Sequence, residues 1–333
     1  MRRVTTALLV LIAAGAAHTA APEGYHLLKT IPVPGDGGWD YVCVDAAARR
    51  VYVSHATRVE VLDADSGELK GQIPDTAGVH GIALAPDVGR GFTSNGRANT
   101  VTVFDLKTLK PLGTVPTAKN PDCIIYDPTT HRVFAFNGGS ASATAIDAAE
   151  GKAVGTLDLG GQPEFAAADG AGHVFVNLED KGEVLKLDAR GLKVLERWPI
   201  APARAPVSLA IDAPNHRLFV GCRSKVLLVL NADDGKVVAS VPIGERVDAS
   251  AFDPETKLVF SSCGDGTVAV VRQESPDRYT AVETVKTRPG SKTMGLDPKT
   301  HRLFLPAAEY RAAAPGTRPA MVPGSFAVLV FGR

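Results

Sequence analysis

The chain has 333 residues with 36 basic and 36 acidic side chains, so its formal charge is zero and no global field draws it to nucleic acid or an anionic membrane. A length above 300 admits either two ordinary domains or one large closed β-structure. The four cysteines, Cys43, Cys123, Cys222 and Cys263, lie too far apart in sequence for a CxxC metal site.

At the start of the chain, Arg2 and Arg3 precede an uncharged, mostly apolar run from Val4 to Ala17 and then small residues around Ala20. That order of charged, apolar and small regions predicts a secretory signal over residues 1–21. The run is too short to span a bilayer, so the expectation is a periplasmic or secreted chain with no membrane span.

From residue 22 onward the sequence repeats itself. Pairs of apolar runs joined by a short turn recur as "CVDAAARRVYVSH", "ALAPDVGRGFTSN", "IYDPTTHRVFAFN", "AADGAGHVFVN", "AIDAPNHRLFVGC", "AFDPETKLVFSSC" and "GLDPKTHRLFLPA". A third run follows each of the first six, as in "TVTVFDLKT", and then a fourth, as in "KVVASVPI". The position of Asp40 recurs at His80, Asp122, Glu164, Val207, Asp248 and Lys292, in steps of 40, 42, 42, 43, 41 and 44 residues. Four short strands per unit of this length predict an all-β chain, a single seven-bladed β-propeller over 22–333 with blades starting near those positions. The seventh unit has three runs, at 293–297, 302–305 and 326–331, and lacks a fourth. "YHLLKTIPV" (Tyr25 to Val33) stands before the first unit and is predicted to supply it, closing the ring and removing an open sheet edge.

The segments "RVYVSHATRVEVLDADSGELKGQI" and "RGFTSNGRANTVTVFDLKTLKPLGTV" resemble the repeats of the YVTN-type, or YncE-like, exported seven-bladed propellers. The resemblance covers the mature chain and implies the same fold, while for function it implies either a binding module or a relative of propeller enzymes. His55, Cys222, Cys263 and Ala307 depart from the asparagine that Asn95 and Asn137 keep after the second strand.

Strand geometry gathers these positions. If Asp45 faces Arg50 across the first turn, antiparallel pairing sets Asp40 opposite His55, His80 opposite Asn95, Asp122 opposite Asn137, Val207 opposite Cys222, Asp248 opposite Cys263 and Lys292 opposite Ala307. Glu164 falls beside Asn177 or Leu178. All would then line one central funnel, with Asp40, His80, Asp122, Glu164, Asp248, Lys292, Asn95 and Asn137 as candidate ligand-binding residues. Asp40, His80, Asp122 and Glu164 suit a divalent cation, Ca²⁺, Mg²⁺ or Zn²⁺, or else a cationic ligand. Separation decides between a metal site and a merely wet ring. Two carboxylates about 10 Å apart in water repel by about 0.4 kcal/mol, whereas at about 5 Å and an effective dielectric near 20 they repel by about 3 kcal/mol and require a counterion.

A long segment, "PAAEYRAAAPGTRPAMVPGS" at 306–325, is expected over the funnel mouth, where Glu309, Tyr310 and Arg311 would meet a ligand. Arg58, Arg97, Lys181 and Arg223 follow second strands and form a basic rim that can attract an anion. His131, His173, His216 and His301 read as turn residues on the opposite face. Cys222 and Cys263 hold equivalent places in adjacent blades, close enough for a disulfide if their Cα atoms lie within about 7 Å. Two classes of function remain open. One is a monomeric binding module for a small molecule or peptide in the funnel. The other, by analogy of architecture, is a metal-dependent hydrolase of the lactonase type or a lyase, in which His80 or His55 moves a proton.

Overall fold

Seven aromatic side chains, Tyr52, Phe92, Phe134, Phe175, Phe219, Phe260 and Phe304, stand at matching positions in the second strand of successive repeats, and all are almost wholly buried. A computed structural model describes residues 24–35, 37–311 and 319–333, and there these aromatics pack between neighbouring β-sheets. The proposed signal over residues 1–21 lies outside the described residues.

Seven four-stranded antiparallel sheets form the seven blades. In blade 1 the strands run Val42–Asp45, Arg50–His55, Arg58–Asp63 and Leu69–Ile73, from the axis outward. The last blade joins Gly295–Asp297, Arg302–Ala307 and Ala327–Gly332 to the N-terminal strand His26–Pro32, which pairs antiparallel with Ala327–Gly332 and closes the ring. Alternation of side chains along each strand presents one set to each neighbouring blade. The resulting apolar layers, such as Phe134 and Phe136 against Val174 and Val176, weld blade to blade.

The short turns after the innermost strands keep the predicted register, with Asp45 opposite Arg50 and Asp127 opposite Arg132. The residue before the second strand adopts a left-handed conformation at Arg49, His131, His216 and His301, with φ of 56°, 53°, 53° and 57°. His131, His173, His216 and His301 bond to Asp87, Asp169, Asp233 and Asp253 in these turns. Arg49 also ties blade 1 to blade 7 through the buried carboxylate of Asp297, at 2.7 Å.

Two irregularities recur. The innermost strands of blades 2 to 6 carry a bulge at the start, so that Val79, Pro121, Pro163, Pro206 and Val247, and not the residues after them, pair with the end of the second strand. The outermost strand of every blade carries another, which leaves Leu28, Lys70, Leu112, Val154, Leu195, Val238 and Val282 without a partner in the ladder.

Candidate functional site

The inner bulges correct the pairing expected from sequence. A constant register would set His80 opposite Asn95 and Asp122 opposite Asn137, whereas Val79 and Pro121 occupy those places. Glu164, Val207 and Asp248 are displaced in the same way. A bulge adds a residue on one strand and re-aims its side chain, which frees the ring residues from the ladder at the axis. Asn95 and Asn137 do not line the funnel. Both are fully buried, Asn95 among Thr93, Thr100 and Thr102 and Asn137 between Ser142 and Thr144.

His55 is also corrected. It pairs with Arg58, is fully buried, and rests against Phe326 with ring centroids 4.4 Å apart. Its Nδ1 is 3.7 Å from the buried Glu60 carboxylate, which Arg58 neutralises. The buried Glu60 needs such partners to offset its desolvation, and this holds His55 inside blade 1. Cys222 and Cys263 are free thiols, pushed up to about 12 by burial, and each donates weakly to a carbonyl of its own strand. Val207 packs with Val247 and Cys263.

Hydroxyls of the same blade or of its neighbour fix the backbone of the ring. Ser54 Oγ accepts from the Asp40 N–H at 2.8 Å and Ser94 Oγ donates to the Asp122 carbonyl. Ser262 Oγ donates to the Lys292 carbonyl, and Thr293 Oγ1 to the Asp40 carbonyl at 2.7 Å. On this frame His80 Nδ1 lies 2.7 Å from Asp40 Oδ2 and 3.7 Å from Asp122 Oδ1. One ligand atom from each of Asp40, His80 and Asp122 falls within 4.8 Å of the others. The ring is therefore in the close regime, where two carboxylates repel by about 3 kcal/mol unless a cation lies between them.

Lys292 Nζ pairs with Asp248 at 2.9 Å, and Arg223 lies 2.6 Å from Glu179 and 4.0 Å from Glu164. These contacts and loss of water set the protonation of the ring. Burial favours neutral His80, but the bond to Asp40 and the charge of Asp122 outweigh it and raise its pKa. Desolvation, with Asp40 and Asp248 adding repulsion against the pull of His80, pushes Asp122 up to about 6. Desolvation and the charges of Asp122, Glu179 and Asp248 push Glu164 up to about 8. Asp248 is raised by burial against the opposing Lys292, and Lys292 is raised by Asp248 and Asp40 in spite of burial. Four carboxyl groups, those of Asp40, Asp122, Glu164 and Asp248, thus share the ring with His80 and Lys292, and burial raises the pKa of three of them.

Sequence reasoning passed over two aromatics in "WDY" around Asp40. Tyr41 reaches across the axis, donates from its hydroxyl to the Glu164 carbonyl at 3.0 Å and lies 5.2 Å from the Phe165 ring. It floors the polar funnel, below which an apolar cavity of about 560 Å³ is lined by residues such as Ile82, Ile124, Phe252 and Met294. Trp39 stacks on Phe326 at 4.9 Å and lies 6.4 Å from Tyr310. It borders two cavities of the mouth, one with Asp40, His80 and Arg97 and the other with Lys292, Arg246 and Tyr310. Aromatic residues flanking a ring position were the available signal, since the other blades place Gly81, Cys123, Ser208, Ala249 or Thr293 after it, and only Phe165 matches.

The long segment of blade 7 begins as a narrow hairpin, with Tyr310 bridged to Met321 and the Arg311 N–H bonded to the Ala320 carbonyl. Tyr310 faces the funnel cavity, whereas the exposed Glu309 carboxylate lies 3.9 Å from Arg288. Residues 312–318 of this segment lie outside the described residues.

No family model matches the chain, and no curated protein matches it. Solved structures do. The chain is similar to Kuenenia stuttgartiensis hydrazine synthase, with 16% identity, a TM-score of 0.72 and coverage of 82% of this chain and 94% of that one. It is also similar to the RRP9 WD40 repeats, with 11% identity, a TM-score of 0.78 and coverage of 91% and 97%. A chain of the mitotic checkpoint complex matches at 18% identity and a TM-score of 0.74, with coverage of 90% and 95%. At such identities the likeness establishes a seven-bladed propeller with WD40-like neighbours and carries no activity across.

Proposed function

We propose that this chain is an exported, YncE-like propeller that binds a divalent cation, and through it a small ligand, in its central funnel. The observation that carries the reading is the convergence of Asp40, His80 and Asp122. His80 Nδ1 lies 2.7 Å from Asp40 Oδ2 and 3.7 Å from Asp122 Oδ1, and the three ligand atoms all fall within 4.8 Å of one another, close enough for bonds of about 2.4 Å to one ion after a small movement. Zn²⁺, with bonds near 2.1 Å, requires a small contraction and gains from the imidazole, whereas Ca²⁺ and Mg²⁺ gain from the carboxylates alone. Glu164, expected as a fourth ligand, is not among the side chains whose ligand atoms converge. The ion replaces the proton on His80 Nδ1 and cancels the repulsion in the ring.

Metal analysis of the purified mature chain, with calorimetric titration by Zn²⁺, Ca²⁺ and Mg²⁺, tests this reading. One ion per chain is expected, lost in Asp122→Ala and His80→Ala while unfolding stays cooperative. A folded wild-type chain that takes up none of the three ions at millimolar concentration would refute it.

A second reading, a metal-dependent hydrolase of the lactonase type or a lyase, draws on one feature of His80. Its Nδ1 is held by Asp40, and Gly96 approaches the other ring nitrogen so closely that a Cβ there would sit 2.6 Å from Nε2. His80 also lines the Trp39–Arg97 cavity, where its imidazole could exchange a proton with a bound ligand. Turnover of lactones or esters that disappears in His80→Ala supports that reading, and saturable binding with no turnover supports the module.

A further inference from the structure

The four rim cations have different fates. Arg58 is neutralised by Glu60, Arg223 by Glu179 at 2.6 Å and Lys181 by Asp180 at 3.4 Å. Arg97 makes no ion pair or side-chain hydrogen bond among the described residues, although four carboxylates of the ring lie in the same funnel. It borders a cavity of about 400 Å³ together with Asp40, His80, Trp39 and Asn120. Its place is set by two glycines. A Cβ at Gly78 would lie 2.7 Å from Arg97 Cβ, and a Cβ at Gly96 would lie 2.5 Å from Asn120 Oδ1 and 2.6 Å from His80 Nε2. Gly78 thus lets its loop pack against the backbone of Arg97, and Gly96 leaves the edge of the His80 imidazole without a side chain against it.

We propose that this cavity is a carboxylate subsite, in which Arg97 binds the carboxylate of a small, flat monocarboxylic acid whose body lies against Trp39, beside the ion held by Asp40, His80 and Asp122. The inference rests on the cation reading above and adds the ligand's class. A guanidinium without an internal partner presents a planar fork that matches a carboxylate in bidentate fashion. A monocarboxylate brings one negative charge to the Arg97 guanidinium, whereas a phosphate dianion would bring a second beside Asp40 and Asp122, whose charge the ion already has to offset. Trp39, held by stacking on Phe326, offers a flat apolar wall to an unsaturated or aromatic body. The volume suits a compact acid, falling near the lower end of the range for small-molecule sites.

Benzoate, benzamide and inorganic phosphate titrated calorimetrically into Zn²⁺-loaded protein test the assignment. Benzoate is expected to bind saturably and more tightly than either of the others. Arg97→Ala should keep the metal stoichiometry and weaken benzoate about 10- to 100-fold, the loss of one charge-assisted bond. Arg97→Lys should recover part of that affinity, because it keeps the charge and loses the fork. Metal bound normally with benzoate indifferent to Arg97, or benzamide or phosphate bound as tightly as benzoate, would overturn the subsite alone. Benzoate held by Arg97 in a chain that takes up no metal would overturn the cation reading alone.

Discussion

Glu164→Gln isolates the electrostatic cost of an acidic ring that lacks its cation. In the folded chain the carboxyl is pushed from 4.5 to about 8, chiefly by loss of water and then by Asp122, Glu179 and Asp248. An acid whose pKa is raised on folding holds its proton more tightly in the native state. Its contribution to stability is therefore fully present below about pH 4.5 and is lost as pH rises through about 8. At about 1.4 kcal/mol per decade, the loss is on the order of 5 kcal/mol. Glutamine keeps the shape and cannot ionise, so the variant should match the wild type near pH 5 and exceed it by that amount at pH 9. The assay is urea unfolding followed by circular dichroism in EDTA across pH 5 to 9. Replacing EDTA by Ca²⁺ at pH 9 should narrow the difference by offsetting the negative charge around Glu164 in the wild-type chain. Wild-type and variant stabilities that run parallel over the whole range would show that Glu164 does not carry the ring's excess charge.

Phe134→Ala removes one of the seven interblade aromatics and should lower the unfolding free energy by about 3–5 kcal/mol, read from the shift in denaturant midpoint at constant slope. Arg49→Ala leaves the fully buried Asp297 without its guanidinium and should cost about 3 kcal/mol at neutral pH. Because Arg49, the bond from Thr300 and the backbone near Lys299 lower the Asp297 pKa in spite of its burial, the difference between variant and wild type should shrink as pH falls through the acid range. Stability curves for Arg49→Ala from pH 7 down to 3 check that trend.

The fold was legible because each repeat states its strands and turns locally. "DPTTHRVFAFN" carries an Asp turn, a left-handed His131 and the buried Phe134, and the next unit repeats the message at a fixed distance. The missing strand was legible for the same reason, since three runs in the last unit and a spare run before the first leave one way to close the ring. The inner bulges were hidden. Register arithmetic assumes one residue against one, and nothing in "VHGIALA" or "PDCIIYD" announces that two residues will face one. The convergence of Asp40, His80 and Asp122 came from strand order and survived the shift, because a bulge moves a side chain toward the axis without changing which blade supplies it. Asn95 and His55 were misplaced because their side chains turn to the third strand of their own blade and away from the axis. The Thr100 and Thr102 hydroxyls and the buried Glu60 compete with the funnel for them, and burial decides in favour of the blade.

The bulges on the outermost strands act at the circumference. A wheel of seven sheets exposes seven rims, each with unpaired amide and carbonyl groups able to recruit a strand from another molecule. On every rim here one residue, Leu28 or Leu112 for example, breaks the even spacing on which such recruitment depends. An incoming strand would find two short stretches out of phase with each other, so cross-β stacking of one wheel on the next has no continuous template from which to start.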